Sequence, residues 1–243
     1  MNGILSQPHT ILSEQVDMQR NLKPSSLLMM LQEIALDHCR LLNLGSDTTL
    51  NRNLLWVVTR YYVSIERMPR YEESVTLETW PGPMRRILFP RYFRMYDSDG
   101  TVLLRASSVW VLIDGSERTM ISPKQYGLPE YAGHVEGDEV PYNVPARAVP
   151  EIRTEHFTVP YSYIDLNGHM NNTRYLDLCG DLIADDVMKK KLTSISAEFQ
   201  SEIAYKQTVT IGIGTDGAYY TFTGTGEKPS FRIGLGYSDS EDR

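Results

Sequence analysis

The chain repeats part of its own sequence, which restricts its fold to an arrangement of two related copies. Residues 16–21 read Val-Asp-Met-Gln-Arg-Asn, and residues 164–169, 148 positions later, read Ile-Asp-Leu-Asn-Gly-His. Residues 71–77 have a similar counterpart at 205–211, 134 positions later. A chain of 243 residues can hold two domains of about 120 residues, each large enough to bury a core. We therefore predict a duplicated fold with two diverged copies.

Each copy is predicted to begin with a helix and to continue with strands. In the first copy, apolar residues recur at helical spacing over 27–42, and Gly45 is predicted to end the helix. In the second copy a helix should begin about Thr173, with Asn171 or Asn172 as its N-cap, and end near Lys190. Runs rich in β-forming residues follow each helix. These runs cover 55–65, 74–80, 87–96 and 101–113 in the first copy, and 193–204, 208–214, 219–224 and 230–236 in the second.

A stretch rich in proline separates the two copies. Residues 121–160 contain Pro123, Pro129, Pro141, Pro145, Pro150 and Pro160, with an acidic centre and little periodicity. We assign 1–122 to the first domain, 123–158 to a linker and 159–243 to the second domain.

Charge and cysteine content limit the partners and the compartment. With 24 Lys and Arg against 31 Asp and Glu, the net charge of -7 argues against a nucleic-acid partner, which needs a basic surface. Cys39 and Cys179 each fall in a predicted helix, where a free buried thiol is expected more often than a disulfide. Neither a signal peptide nor a long apolar run is found, so we expect a cytoplasmic protein without membrane contact.

The richest chemistry lies in the segment before the second predicted helix. Asp165, Asn167 and His169 alternate along the chain, so in an extended segment their side chains would point to one side. The N-terminus of the helix that follows would face them, and its free N–H groups could help to hold a polarised carbonyl oxygen. Asp, Asn and Gly before a helix are also ordinary turn and capping residues, and local pattern alone leaves that interpretation open.

Residues 165–175 resemble the D-x-N-x-H-x-N-N-x-x-Y signature of the fatty acyl-acyl carrier protein thioesterases, a family with two hotdog domains in one chain. The resemblance covers nearly the whole chain. Further along, Glu202 takes the position of the family's glutamate, whereas Ile203 stands where the family has a cysteine. The implied fold is α+β, a tandem hotdog with two antiparallel sheets, each wrapping a long central helix. We further predict that the two copies pair edge to edge into one continuous sheet.

This resemblance implies a hydrolase of fatty acid biosynthesis that releases a fatty acid from acyl carrier protein, without a cofactor or a metal. The acyl chain would be held mainly by the first domain, with catalysis in the second. The implied catalytic residues are Asp165, Asn167, His169 and Glu202. Glu202 or His169 would serve as general base for water, Asn167 would fix its partner or the substrate carbonyl, and Asp165 would orient the others.

One cysteine, Cys179, and one histidine, His38, are expected to have structural roles. Cys179 lies on the apolar face of the second helix, which disfavours a covalent path through its thiol. His38 lies on the apolar face of the first helix and is predicted to be a core histidine with a neighbouring partner. Plant members of the family carry an Arg- and Ser-rich transit peptide, so its absence indicates a bacterial or processed form.

Alternative functions follow from the same fold. An acyl-CoA thioesterase would use the same chemistry on another carrier, and a non-catalytic hotdog could bind acyl chains. Acyl carrier protein is acidic, so its docking on this acidic chain requires a local basic surface. The candidates are Arg85 and Arg86 with Arg91 and Arg94, then Arg67 and Arg70, and then Lys189–Lys190–Lys191. Acyl chain length and oligomeric state, including a homodimer, are left open.

Overall fold

The computed structural model describes residues 3–45, 49–122 and 140–239. The first half contains β1 (Leu5–Thr10), α1 (Pro24–Leu41), β2 (Leu54–Ile65), β3 (Ser74–Pro81), β4 (Phe89–Asp97) and β5 (Val102–Asp114). The second half contains β6 (Glu151–Thr158), α2 (Arg174–Val187), β7 (Lys190–Phe199), β8 (Thr208–Thr215), β9 (Tyr219–Thr225) and β10 (Pro229–Asp239). Neither helix in these ranges is long and apolar enough to cross a membrane.

The ten strands of the described ranges form one antiparallel sheet, in the order β1-β3-β4-β5-β2-β7-β10-β9-β8-β6. The two halves meet where β2 pairs with β7, with Arg60 opposite Glu198 and Ser64 opposite Ser194. The expectation of two sheets is therefore wrong, whereas the predicted pairing of the two copies edge to edge is confirmed. Pairing these strands satisfies the backbone groups that each half alone would leave at an open edge.

The helix α1 begins and ends for reasons visible in its sequence. Pro24 occupies its first turn, where a missing N–H costs nothing. Asn43, with φ of 56°, adopts the left-handed conformation, and the next N–H, of Leu44, donates to the carbonyl of Cys39 at 2.8 Å. This closure ends the helix at Leu41, before the predicted stop at Gly45. The apolar faces of α1 and α2 join the strands of both halves in one hydrophobic core.

Two strands were not predicted, one at each edge of the sheet. In β1 burial alternates, but the sequence Leu-Ser-Gln-Pro-His-Thr carries little apolar signal. In β6, seven of eight residues are exposed, so no apolar alternation marks it. Because β6 spans Glu151–Thr158, ordered sheet begins inside the range predicted as a linker, 123–158. Residues 123–139 of that range lie outside the described residues.

The two halves use the same turn before their helices, which confirms the duplication. In the first half the carboxylate of Asp17 accepts hydrogen bonds from the backbone N–H groups of Gln19 and Asn21, both at 2.9 Å. In the second half Asp165 accepts from Asn167 at 2.8 Å and from His169 at 3.4 Å.

The same correspondence extends to the loop opposite each turn. The N–H of Leu22 donates to the carbonyl of Pro69, and that of Met170 donates to the carbonyl of Ile203, both at 2.8 Å. Met68, which precedes Pro69, is thus the counterpart of Glu202, which precedes Ile203.

Candidate active site

Two of the predicted site residues meet at the surface of the second half. Nε2 of His169 lies 3.3 Å from Oε2 of Glu202, and the two side chains are 29% and 47% exposed. A backbone bridge joins His169 to Ala204, so the turn and the loop that carry these side chains are tied together. The loop is fixed on its other side as well, because Ser230 accepts hydrogen bonds from the two residues that precede Glu202.

The first half supplies a third member of this cluster, Arg118. Its Nη2 contacts Oε1 of Glu202, the carboxylate oxygen that does not face His169. Arg118 lies in the turn after β5 with φ of 54°, and its N–H donates to the carbonyl of Asp114 at 2.9 Å. Glu202 is therefore held between a guanidinium and an imidazole that come from different halves of the chain.

The turn that carries Arg118 is well ordered by hydrogen bonds. The carboxylate of Asp114 accepts from the N–H groups of Ser116 at 2.8 Å and Glu117 at 2.9 Å. Sequence reasoning missed Arg118 because it occupies a turn and lies 84 residues from its partner, so no local pattern connects the two.

Asp165 and Asn167 do not join the side chains of His169 and Glu202 as predicted. The segment is a tight turn, in which Gly168 has φ of 84°, and it is not an extended strand with three side chains on one side. Asp165 orients His169 through backbone hydrogen bonds of the turn, and the side chain of Asn167 is exposed. Asp and Gly at these positions favour the turn, since Asp bonds nearby N–H groups and Gly tolerates positive φ.

The start of α2 lies beside the cluster. The helix begins at Arg174 with Thr173 as its N-cap, not Asn171 or Asn172 as predicted, and Asn171 accepts from the N–H of Thr173 at 2.9 Å in the preceding turn. In the first turn Tyr175 is buried, and burial together with the charges of Asp165 and Glu202 raises the pKa of its hydroxyl. Further along, Cys179 is fully buried and burial raises the pKa of its thiol well above its usual range. The prediction that Cys179 is a buried apolar residue is confirmed.

An apolar cavity lies in the first half, between α1 and the sheet. The space within it, which is partly open to solvent, is about 640 Å³. The wall contains Trp56 of β2 and Trp110 of β5. The strand β7 runs antiparallel to β2, with Arg60 opposite Glu198. The chain that leaves β7 toward Glu202 therefore runs toward the start of β2, where Trp56 lies. The remaining lining residues are Ala35, Leu36, Cys39, Leu42, Leu44, Pro81, Gly82, Met84, Phe89, Pro90 and Arg91.

His38 has the structural role that the sequence predicted. It is 3% exposed, and its Nδ1 lies 3.1 Å from Nη1 of Arg91. Burial, together with the charge of Arg91, lowers the pKa of His38 to about 4. The imidazole is thus neutral near pH 7, and Nδ1 can accept a hydrogen bond from the guanidinium.

The candidate basic surface is smaller than the sequence suggested. Arg91 is buried, Arg94 binds Glu78 at 2.6 Å, and Arg67 binds Glu73 at 2.6 Å.

The lysine run also differs from the prediction, because α2 ends at Val187 and Lys190 and Lys191 belong to β7. Arg85 and Arg86 are exposed in a short turn that follows Gly82 and Met84 of the cavity wall.

Family models match most of the chain. The acyl-ACP thioesterase N-terminal domain matches residues 4–124, and the acyl-ACP thioesterase C-terminal domain matches residues 147–228. Among relatives, the chloroplastic palmitoyl-acyl carrier protein thioesterase of Gossypium hirsutum is 27% identical over 222 residues, which are 82% of this chain and 52% of that protein. The chain spans about half the length of the plant relatives it matches.

Solved structures show the same fold. An acyl-ACP thioesterase from Bacteroides thetaiotaomicron superposes with a TM-score of 0.85 at 22% identity, covering 98% of each chain. The 12:0-ACP thioesterase of Umbellularia californica gives a TM-score of 0.81 at 20% identity, again over 98% of each chain. Both likenesses establish the hotdog fold for this chain.

Proposed function

Because the chain belongs to the acyl-ACP thioesterase family, we propose that it hydrolyses the thioester of fatty acyl-acyl carrier protein and releases a free fatty acid. The observation that carries the proposal is the contact of Glu202 with both His169 and Arg118. A carboxylate held by two donors provides a base for water, and the apolar cavity of the first half would receive the acyl chain.

We assign the role of general base to Glu202. A water molecule can reach its carboxylate, which is 47% exposed, whereas Nδ1 of His169 is buried. A carboxylate can only accept, so Nε2 of His169 carries the proton that faces it. The 3.3 Å separation of these groups is slightly longer than the hydrogen bonds of catalytic pairs, which often tighten when substrate binds.

In the proposed reaction a single group, the carboxylate of Glu202, carries the proton from water to the leaving thiolate. Glu202 takes a proton from water as the oxygen attacks the thioester carbonyl carbon, which places negative charge on the carbonyl oxygen. When the carbon–sulfur bond breaks, the protonated carboxyl of Glu202 returns its proton to the leaving thiolate. The products are a fatty acid and the free thiol of the carrier, and no covalent enzyme intermediate is formed.

Asn167 and Asp165 support this step in different ways. The exposed side-chain amide of Asn167 is available to donate to the carbonyl oxygen of the substrate. Asp165 accepts from the N–H groups of Asn167 and His169, so it holds both residues in the turn. Arg118 positions Glu202 through its contact with Oε1.

The test is release of free thiol from one acyl group presented on acyl carrier protein and on coenzyme A. We expect turnover that depends on Glu202 and prefers the carrier protein. Faster turnover of acyl-CoA would favour the alternative carrier, and hydrolysis of neither substrate would contradict the proposal.

A further inference from the structure

The first half buries a cation that has no anionic partner. Arg91 is 6% exposed, and no carboxylate lies within ion-pair distance of it in the described parts of the chain. Its guanidinium contacts Oγ1 of Thr79 at 3.2 Å and Sγ of Cys39 at 3.4 Å. A third contact is with His38, whose pKa is lowered to about 4, so that its imidazole is neutral near pH 7. Arginine stays charged in proteins, and a buried charge without an ion-pair partner is costly.

Arg91 belongs to a row of buried donors that crosses three strands. On β5, Ser108 lies opposite Arg91 of β4 and, on its other side, opposite Tyr61 of β2. Residues that face each other on neighbouring antiparallel strands point to the same side of the sheet, and here that is the side covered by α1, which Arg91 contacts. Tyr61 and Ser108 are 2% and 0% exposed. Three groups that can donate hydrogen bonds therefore stand side by side in the core.

The hydroxyl of Tyr61 is buried and has no hydrogen-bond partner in the described residues. Burial raises the pKa of Tyr61 and outweighs the opposite effect of Arg91, so the hydroxyl keeps its proton. The charge of Glu33 acts on the same hydroxyl, but Glu33 is exposed on α1 and accepts no hydrogen bond from it. Ser108 accepts from Nε1 of Trp110 at 2.8 Å, which leaves its own proton to be donated. The row thus offers more donors than acceptors.

An ion can reach this row through the apolar cavity, because Arg91 forms part of the cavity wall. About 50 Å³ of that cavity is open to a particle the size of a water molecule, which is enough for one small ion. We propose that a small monovalent anion, with chloride as its biological form, binds between Arg91 and Tyr61 beside Ser108. One negative charge neutralises the guanidinium, and a halide ion accepts from N–H and O–H groups in any direction.

The anion site goes beyond the proposed hydrolysis and does not depend on it. Glu202 and His169 belong to the second half, whereas Arg91 and Tyr61 lie on β4 and β2. A bound anion would neutralise the cation in the wall of the cavity, which makes that wall better suited to an apolar ligand.

Unfolding of the full chain by urea tests the proposal in solution. Chloride would be exchanged for gluconate at a constant total concentration, so that ionic strength does not change. An anion that binds only the folded chain, with a Kd of about 10 mM, lowers the unfolding equilibrium constant about tenfold at about 100 mM chloride. Equal stability in the two salts would overturn the proposal.

Variants assign the effect of chloride to the row of donors. Arg91→Met should lose it, and exchange of a buried cation for an apolar side chain is often tolerated by the fold. Tyr61→Phe, which removes only the hydroxyl, should reduce it. The matched controls should keep it: Arg94→Met, on the same strand and bound to Glu78, and Tyr220→Phe, buried in the second half. A chloride effect that survives unchanged in Arg91→Met would overturn the proposal.

Bromide gives a direct measurement that does not depend on any variant. In crystals of the wild-type protein grown in bromide, anomalous scattering should show an ion within hydrogen-bond distance of Arg91 and Tyr61. Absence of that peak from crystals in which both side chains are ordered would also overturn the proposal. Neither measurement involves a thioester, so a protein without hydrolytic activity could pass both tests and an active thioesterase could fail both.

Discussion

Arg118 in the first half of the chain contacts the carboxylate of Glu202 in the second half. This pair is partly exposed, with side chains 38% and 47% accessible, and ion pairs of that kind contribute only about 0–1 kcal/mol to stability. The importance of the contact therefore lies in the position of Glu202 and in the fact that neither half holds the complete cluster.

Replacing Arg118 should lower activity with little effect on stability. We expect Arg118→Gln to reduce kcat by about tenfold or more, because Glu202 loses one of the two groups that hold it. Arg118→Lys should restore part of the rate.

The matched control for this variant is Arg60→Gln. Arg60 also joins the two halves, through Glu198 at 3.7 Å, and its side chain is 39% exposed. Its loss should leave kcat unchanged. If Arg118→Gln slowed only the carrier-bound substrate and spared a small uncharged thioester, Arg118 would be a docking residue and not a positioning residue.

Direct removal of the proposed base and its partner should have the largest effects. Glu202→Ala and His169→Ala should each lower kcat by at least about 100-fold while circular dichroism stays unchanged. Near-normal turnover in either variant would remove the cluster from the mechanism. Cys179→Ala should keep most activity, because its buried thiol takes no part in the proposed reaction.

Variants of Asp165 and of its counterpart Asp17 can separate the effect of the turn on stability from its effect on catalysis. Each carboxylate accepts two backbone hydrogen bonds, so Asp165→Ala and Asp17→Ala should each destabilise the fold by about 1–3 kcal/mol in urea unfolding. Only Asp165→Ala should also lower kcat, since its turn carries Asn167 and His169. Equal loss of activity in both variants would mean that stability alone explains the effect.

The turn at Arg85 and Arg86 remains the best candidate for docking of acyl carrier protein. Both side chains are exposed, and Gly82 and Met84 of the cavity wall lie just before them. Reversal of both to Glu should raise KM for the carrier substrate and flatten its dependence on salt. Hydrolysis of a small uncharged thioester should barely change, and an unaltered KM for the carrier would exclude this turn.

His38 should make stability depend on pH. Its pKa falls from 6.5 to about 4 on folding, so the unfolded chain binds more protons between these values. The contribution of His38 is therefore complete above about pH 6.5 and is lost as the pH falls toward 4. His38→Asn should reduce this dependence in urea unfolding, whereas His156→Asn, on the exposed strand β6, should not.

The predictable part of the fold is the part with strong local pattern. The helix α1 and the long strands β2 and β5 bury apolar residues at regular spacing, and repeated segments identified the duplication. The edge strands β1 and β6 were missed because their exposed faces carry polar residues.

The candidate site was predictable only in part, because local sequence pattern does not show which distant residues meet. The family signature identified His169 and Glu202, but spacing alone suggested an extended segment where Asp165 and Gly168 favour a turn. The contact of Arg118 with Glu202 joins two loops that are far apart in the sequence. These loops meet because β2 pairs with β7, and no single segment of the sequence predicts that pairing.

The matching turns of the two halves have an evolutionary consequence. In a dimer of identical subunits every substitution occurs twice, so a residue that helps one site is imposed on the other. Here Asn21 and Met68 occupy the places that His169 and Glu202 hold in the second half. In one chain the two copies can differ, so a substitution in the turn or loop of the first half leaves His169 and Glu202 unchanged.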